Sequence, residues 1–511
     1  DAKSKRGKLL IQRCCKPYRG KRVRDLKLYQ ELYDYCLQDV VAEREIRLRL
    51  RNLRGIENAI WEADQRINWR GVQLDRKSIE NALVIIDSHC KIMNKRVHVL
   101  TGGFIDSTGS RAKAMQWCAS QNYPLGNYDK AAISAALQDD KCPENVKEFL
   151  GIRQSLSRSS TKKYQAMLEC IGQDGRVHGS LMYHGASTGR WSGRHINPQN
   201  LPRPTIKDVD ACIIQMQSQD PDQIDGEPME SLASCLRGML TASNGNRLMV
   251  SDYASIEARA LAWLADHWEV LQTFRDGKDI YKATASGMFH TPYELINSDQ
   301  RFVGKVATLA LGYQGGVRAF QKMSEAYGTE VTEDQALKIR NDWRDANMAI
   351  VKLWMDTEKA ARNAISYSGK PFTAAKGTFR MVAGDLLFKL PSDRILSFPE
   401  AQLRQGDRNT EIIYKGMNNH THRWGEIKAY GGSLVQSITQ AVARDILAEA
   451  ILRLESANYS VVLHVHDEIV ADVPEDHGSL AEFEKLMCIL PKWAEGMPVE
   501  AEGYESNRYR K

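Results

Sequence analysis

Residues 248 to 252, Leu-Met-Val-Ser-Asp, form an apolar run that stops on an aspartate, and a helical pattern follows at once. The run reads as a buried strand; Ile256, Ala260, Leu261 and Leu264 then share one face of a helix. A carboxylate at the end of a buried strand is costly unless something cationic sits on it, and a hard divalent ion such as magnesium suits it. The alternative is that Asp252 only caps the helix. A second stretch, Val461-Val462-Leu463-His464-Val465-His466-Asp467-Glu468-Ile469-Val470, places two β-branched runs around His466-Asp467 and reads as a hairpin with an acidic tip. That tip is either a solvent-facing turn or, beside Asp252 on a neighbouring strand, the other half of a two-metal site.

At 511 residues the chain is too long for one core and should divide into roughly two to four domains. With 42% hydrophobic and 26% charged residues it has the composition of a soluble globular protein. It holds no apolar run of about 18 residues and no signal peptide, so the expectation is a cytoplasmic protein, away from membranes. Asp1 in place of an initiator methionine predicts a processed or truncated piece. The net charge of +6 is modest, but cations cluster at Lys3 to Lys27, Arg153 to Lys163 and Arg190 to Lys207, which fits either a polyanionic partner or solvated faces. The 10 cysteines show no metal-ligand spacing and read as reduced thiols.

Along the chain, helical spacing is expected from Lys27 to about Arg54, over 57–67, 77–98, 142–172 and 335–367, with a less regular insertion between Gly102 and Asn127. In the 142–172 helix, Arg153, Arg158, Lys162 and Lys163 surround serines and Thr161, a mixture of hydroxyls and cations that suits phosphate oxygens. Thr188-Gly189-Arg190 and Gln199-Asn200 lie in a loop rich in Gly, Ser, Asn and Pro. Steps of four put Arg301, Lys305 and Leu309 in a narrow arc of one helix with Tyr313 at its edge, an arrangement able to clamp a triphosphate and cover a base. Leu386 to Leu396 reads as strand, turn and strand, and Gln436, Gln440 and Arg444 share a face of a long helix that follows Gly431-Gly432.

Asp252-Tyr253-Ala254-Ser255-Ile256-Glu257, the Arg301/Lys305/Tyr313 helix and His466-Asp467-Glu468, in this order, resemble the family A DNA polymerases. The resemblance runs from about residue 57 to the end, with the flavour of a phage or prophage enzyme. It implies a mixed α+β, right-hand fold: thumb about 80–165, palm about 166–264 and 396–511 with an antiparallel sheet, and fingers about 265–395. Residues 1–56 are expected to be the C-terminal end of a DnaQ-like 3′→5′ exonuclease domain, because Tyr35 and Asp39 are similar to that family's Tyr-x-x-x-Asp motif; with no Asp-x-Glu strand upstream, no proofreading is expected from this chain.

The resemblance also implies residue roles. Asp252 and Asp467, with the carbonyl of Tyr253, would bind two Mg2+ ions, for which Mn2+ could substitute, with Glu468 as an auxiliary carboxylate. Arg301, Lys305, Tyr281 and Tyr313 would hold the incoming nucleotide, Lys305 also serving as proton donor to pyrophosphate, and Glu257 would exclude a ribose 2′-hydroxyl. Arg190 and Gln440 would reach the minor groove of the primer-terminal pair, where acceptors are nearly the same for every base pair. Gln199, Asn200, Gln436, His466, Arg158 and Lys162 complete the DNA contacts. The expected partners are primer-template DNA and dNTPs, handled by a monomer, with accessory proteins left open. Leu309, Tyr281, Gln436 and Gln314 depart from the family's usual residues. The rival readings are a single-subunit RNA polymerase, against which Glu257 argues, and a non-catalytic DNA-binding protein.

Overall fold

The computed structural model describes residues 5–15, 23, 25–50, 52–53, 55–157, 159–406, 410–418, 421 and 423–510. The chain divides into two compact units, Asp1–Ala59 and Ile60–Lys511. In the first, helices Lys5–Cys15 and Leu26–Arg49 pack Leu10, Cys14 and Leu32 together with Leu28, Tyr29 and Tyr35. Asp25 starts the longer helix by accepting the N–H of Lys27, which satisfies one of the donors that every helix start leaves unpaired.

The second unit is built around a four-stranded antiparallel sheet in the order Val461–Val465, Glu468–Pro474, Asn246–Tyr253, Ala501–Ser506. Leu248, Met249 and Val250 are at most 1% exposed, as a run without polar alternation requires of a strand covered on both faces. One cover is the helix Gly431–Ser456, apolar nearly all round, which packs against helices Ile256–Leu264, Met348–Ser366 and Leu480–Cys488. A separate core, with Trp117, Cys118, Val146, Phe149 and Leu150, gathers helices Arg111–Ser120, Lys130–Gln138 and Glu144–Leu156 against the far end of helix Arg76–Leu100. A cluster of helices, Ile280–Phe289, Ser298–Leu311, Val317–Ala326 and Glu333–Ala346, follows the central strand in sequence. Among the described residues no helix is long and apolar enough to cross a membrane, and all ten cysteines are free thiols.

Three local expectations are corrected. The helix expected over 142–172 breaks after Leu156: Ser157 donates its hydroxyl to the Gln154 carbonyl, and short hydroxyl side chains of this kind compete with the helix for backbone groups. The helix expected over 335–367 is two, parted at Asn347, whose side chain donates to the Trp343 carbonyl four residues back. The 102–127 insertion contains a helix, Arg111–Ser120. Over 402–429, to which the sequence pattern assigns no element, Gln402–Gln405, Thr410–Met417 and Trp424–Ala429 form a three-stranded antiparallel sheet laced by the ion pairs Arg404–Glu426 and Lys428–Glu411.

Candidate active site

Asp252 and Asp467 meet at one end of the sheet. The central strand pairs with Glu468–Pro474 so that Glu468 lies opposite Asp252, and the Tyr253 N–H donates to the Asp467 carbonyl at 3.1 Å. Two left-handed residues make this corner: His466, φ 56°, turns the hairpin, and Ser255, φ 52°, ends the strand and starts helix Ile256–Leu264. Both aspartates are half-buried and His466 is exposed. The Tyr253 side chain points inward and donates to the Met487 carbonyl at 2.6 Å, so what this residue can present to a ligand is its backbone. Two hard carboxylates at one sheet end suit a cation that takes only one or two protein oxygens and completes its shell with phosphate and water, the habit of Mg2+. Among the described residues there is no group of three or more His, Cys, Asp or Glu able to hold a metal. Glu468 is 2% exposed and accepts the Tyr509 hydroxyl.

One turn into the helix, Glu257 is held from two sides. Arg190 Nη2 lies 2.7 Å from one carboxylate oxygen and the Tyr313 hydroxyl donates to the other at 3.1 Å. Enclosure, and then the Glu257 charge, push the Tyr313 phenol well above its ordinary range, so it stays a donor. Tyr313 lies past the end of helix Ser298–Leu311, with Gly312 between, instead of on the arc of Arg301 and Lys305. Its segment is locked by Gln314, whose side chain accepts the Gly432 N–H at 2.8 Å; a Cβ on Gly432 would come within 2.3 Å of the Tyr313 carbonyl. Gln314 thus caps the long helix.

Arg190 is held in place by residues with little local signal. Arg444 Nε donates to the Gly189 carbonyl at 3.0 Å and Arg394 Nη2 to the Thr188 carbonyl at 2.9 Å, while Asp445 sits between the two guanidiniums. Arg444 has a fully buried side chain and stacks over Trp191 at 4.8 Å, and Trp191 Nε1 donates to Asp64 at 2.9 Å. Burial raises the Asp64 carboxyl despite its hydrogen bonds from Trp191, Asn68 and Gln65. His464 stands edge-on to Trp191 at 4.5 Å; burial first, then the Arg444 charge, push its imidazole down to about 3. The sequence pattern put Arg444 on a face with Gln436 and Gln440, but it is core; Gln440 is half-buried and Gln436 exposed.

Arg301 and Lys305 lie one turn apart on helix Ser298–Leu311. Arg301 pairs with Asp279 at 2.6 Å and lies over the Tyr281 ring at 5.5 Å, and Lys305 lies over Tyr327 at 4.8 Å. Burial alone would raise the Asp279 carboxyl, but hydrogen bonds from Arg301 and from the Lys282 and Tyr281 N–H groups it caps hold it below its usual range. Close packing here depends on Gly304, where a Cβ would lie 2.2 Å from the Tyr281 carbonyl. Leu309 is 43% exposed and lines, with Glu257, Tyr313, Leu261, Trp343 and Ile350, a cavity of about 130 Å³.

The remaining expected residues are dispersed. Gln199 donates to the Trp191 carbonyl at 3.0 Å, and Asn200 and Lys162 are exposed. Arg158 lies outside the described residues. The hydroxyls and cations expected to grip phosphate are partly committed internally: Ser155 donates to Glu227, and Lys163 to the Ile196 carbonyl. Tyr35 and Asp39 lie in the first unit, half-buried.

A family model described as DNA polymerase family A matches residues 122–372, which contain Asp252, Glu257, Arg301, Lys305 and Tyr313. The chain is 36% identical to a DNA polymerase of Bacillus phage SP02 over its whole length and 81% of that protein. It is 25% identical to DNA polymerase I of Pseudomonas aeruginosa over 67% of this chain and 30% of that one. In fold it is similar to the POL domain of Pol1 from M. smegmatis, solved with DNA primer-template and dNTP, at a TM-score of 0.60 and 17% identity, covering 100% of this chain and 79% of that one. With its strand, hairpin and helix arranged as described, this chain belongs to DNA polymerase family A and is a DNA-directed DNA polymerase.

Proposed function

We propose that the chain extends a primer on a DNA template with dNTPs at the end of the central sheet, using divalent cations held by Asp252, Asp467 and the Tyr253 carbonyl. The observation that carries this reading is the strand pairing that brings the Asp467 turn against the end of the Asp252 strand, beside Glu257 at the start of the following helix, with the cations Arg301 and Lys305 one turn apart on helix Ser298–Leu311. Two Mg2+ ions there, or Mn2+ in their place, would lower the pKa of the primer 3′-hydroxyl and neutralise charge on the triphosphate and leaving pyrophosphate. Arg301, exposed and paired with Asp279, exchanges that carboxylate for nucleotide phosphate. Lys305 Nζ donates a proton to the departing pyrophosphate. Glu257, held by the Tyr313 hydroxyl, forms a wall against a 2′-hydroxyl and selects deoxynucleotides.

In this arrangement Arg190 must leave Glu257 before it reaches a minor-groove acceptor. Gln440, half-buried on the long helix, reaches the same groove, and His466, exposed at the hairpin turn, approaches the primer end. Residues about 80–165 serve as thumb, 265–395 as fingers and the rest of the second unit as palm. Tyr35 and Asp39, on helix Leu26–Arg49, form a Tyr-x-x-x-Asp motif of the 3′→5′ exonuclease type. Primer extension on a primed template tests the core of this reading: Asp252→Ala should abolish Mg2+-dependent extension while DNA binding survives, and the parent should prefer deoxynucleotides over ribonucleotides. Full extension by Asp252→Ala would sink the mechanism.

A further inference from the structure

We propose that Tyr509 is a positioning residue that holds Glu468 away from the two aspartates, an inference that rests on Asp252 and Asp467 being the metal ligands. The strand register sets Glu468 opposite Asp252. Facing residues of an antiparallel pair project to the same side with Cβ atoms about 5 Å apart, so a third carboxylate starts within reach of the pair. The Tyr509 hydroxyl takes it up, donating to Glu468 Oε1 at 2.5 Å, with Glu468 2% and Tyr509 1% exposed.

The phenol is in turn fixed from behind. Arg237 Nη1 donates to its oxygen at 3.2 Å, while Nη2 and Nε are bound to the carbonyls of Leu201 at 2.9 Å and Pro202 at 3.1 Å. The guanidinium also lies 5.5 Å from the centre of the Tyr509 ring. The backbone around Tyr509 is tied as well: its N–H donates to Leu240, Arg508 binds Asp75 at 2.6 Å, and the Arg510 N–H donates to the Tyr504 hydroxyl at 2.8 Å. A phenol is suited to this task because it is a neutral donor, which fixes the direction of a carboxylate without cancelling its charge. Burial and the neighbouring Glu468 charge keep that phenol protonated. No other contact described for Arg237 or Tyr509 belongs to the polymerase chemistry.

The test is a double-mutant cycle between Tyr509→Phe and Glu468→Ala, read first as Mn2+ binding to the DNA-free protein by electron paramagnetic resonance. Tyr509→Phe, which frees the carboxylate to join the ligand set, should tighten Mn2+ binding at least about threefold, and the change should vanish in the Glu468→Ala background. In primer extension the same variant should lower kcat at least about threefold with the KM for dNTP within about twofold. Arg237→Lys removes the fork behind the phenol and should shift Mn2+ affinity in the same direction, which keeps the test readable if Tyr509→Phe folds poorly. Unchanged Mn2+ affinity in both variants, or an equal effect with and without Glu468, overturns the proposal. Undiminished Mn2+ binding by Asp252→Ala overturns instead the metal assignment on which it rests.

Discussion

Arg444→Met is the substitution that most directly asks whether the buried charges organise the site. It removes a guanidinium with a fully buried side chain, its hydrogen bond to the Gly189 carbonyl at 3.0 Å, its contact with Asp445 at 3.1 Å and its stacking on Trp191 at 4.8 Å. A charged hydrogen bond contributes about 1.5–3 kcal/mol, and a buried cation over an aromatic face about 2 kcal/mol. Stripping a buried ion pair of one partner costs about 3–5 kcal/mol when the other is left uncompensated. Here Asp445 keeps Arg394 Nε at 2.7 Å and the Ser392 hydroxyl, so the last contribution is small, and the methionine recovers some packing. The net expectation is a loss of about 3 kcal/mol in urea unfolding, read by tryptophan fluorescence. Because the freed carbonyl belongs to the residue before Arg190, kcat/KM for dNTP incorporation should also fall about tenfold, equivalent to about 1.4 kcal/mol of lost preorganisation. A destabilisation below about 1 kcal/mol together with undiminished kcat/KM would refute the claim that Arg444 positions the loop.

Other consequences are open to direct measurement. Gly432→Ala should cost about 1–3 kcal/mol in thermal unfolding, because its Cβ would meet the Tyr313 carbonyl at 2.3 Å and Gln314 Cβ at 2.5 Å, whereas Gly316→Ala, which meets nothing within 4 Å, should be far milder; equal effects would contradict the packing described. His464 is neutral in the folded protein, its imidazole pushed down to about 3, whereas the unfolded chain protonates it near the ordinary value of 6.5. Its contribution to stability is therefore complete above about pH 6.5 and is lost as pH falls towards 3. His464→Gln should flatten the acid dependence of the unfolding free energy, read from urea titrations, by about 3 kcal/mol between about pH 7 and pH 4, and parallel curves for the two proteins would count against it.

Much of the frame is legible in the sequence because it is encoded locally. The unbroken apolar run before Asp252, the β-branched runs around His466-Asp467 and the four-residue spacing of Arg301 and Lys305 each specify an element by the period of its own side chains, and the structure forms each element where the pattern sits. Boundaries were less legible. Ser157 and Asn347 break helices through side-chain bonds to backbone that compete with helical ones, and hydrophobic spacing is blind to that competition. The sheet over 402–429 is illegible for a related reason: its exposed positions carry charges of both signs, and only cross-strand pairs such as Arg404 with Glu426 make them a surface.

The sequence by itself determined the strand that ends on Asp252, the hairpin whose turn carries Asp467, and the resemblance to the family to which the chain belongs. Only the tertiary structure decided that Arg190 is engaged with Glu257, that Tyr313 has left its helix to join them, that Arg444 is core and that Tyr509 holds Glu468. The physical reason is range. A period of two or of 3.6 residues is written within a dozen neighbours, whereas the Arg444–Gly189 contact joins positions 255 apart and the Trp191–Asp64 contact positions 127 apart. Buried charges and donors find their partners only once folding has brought distant segments together, because nothing short of that removes the water that would otherwise satisfy them.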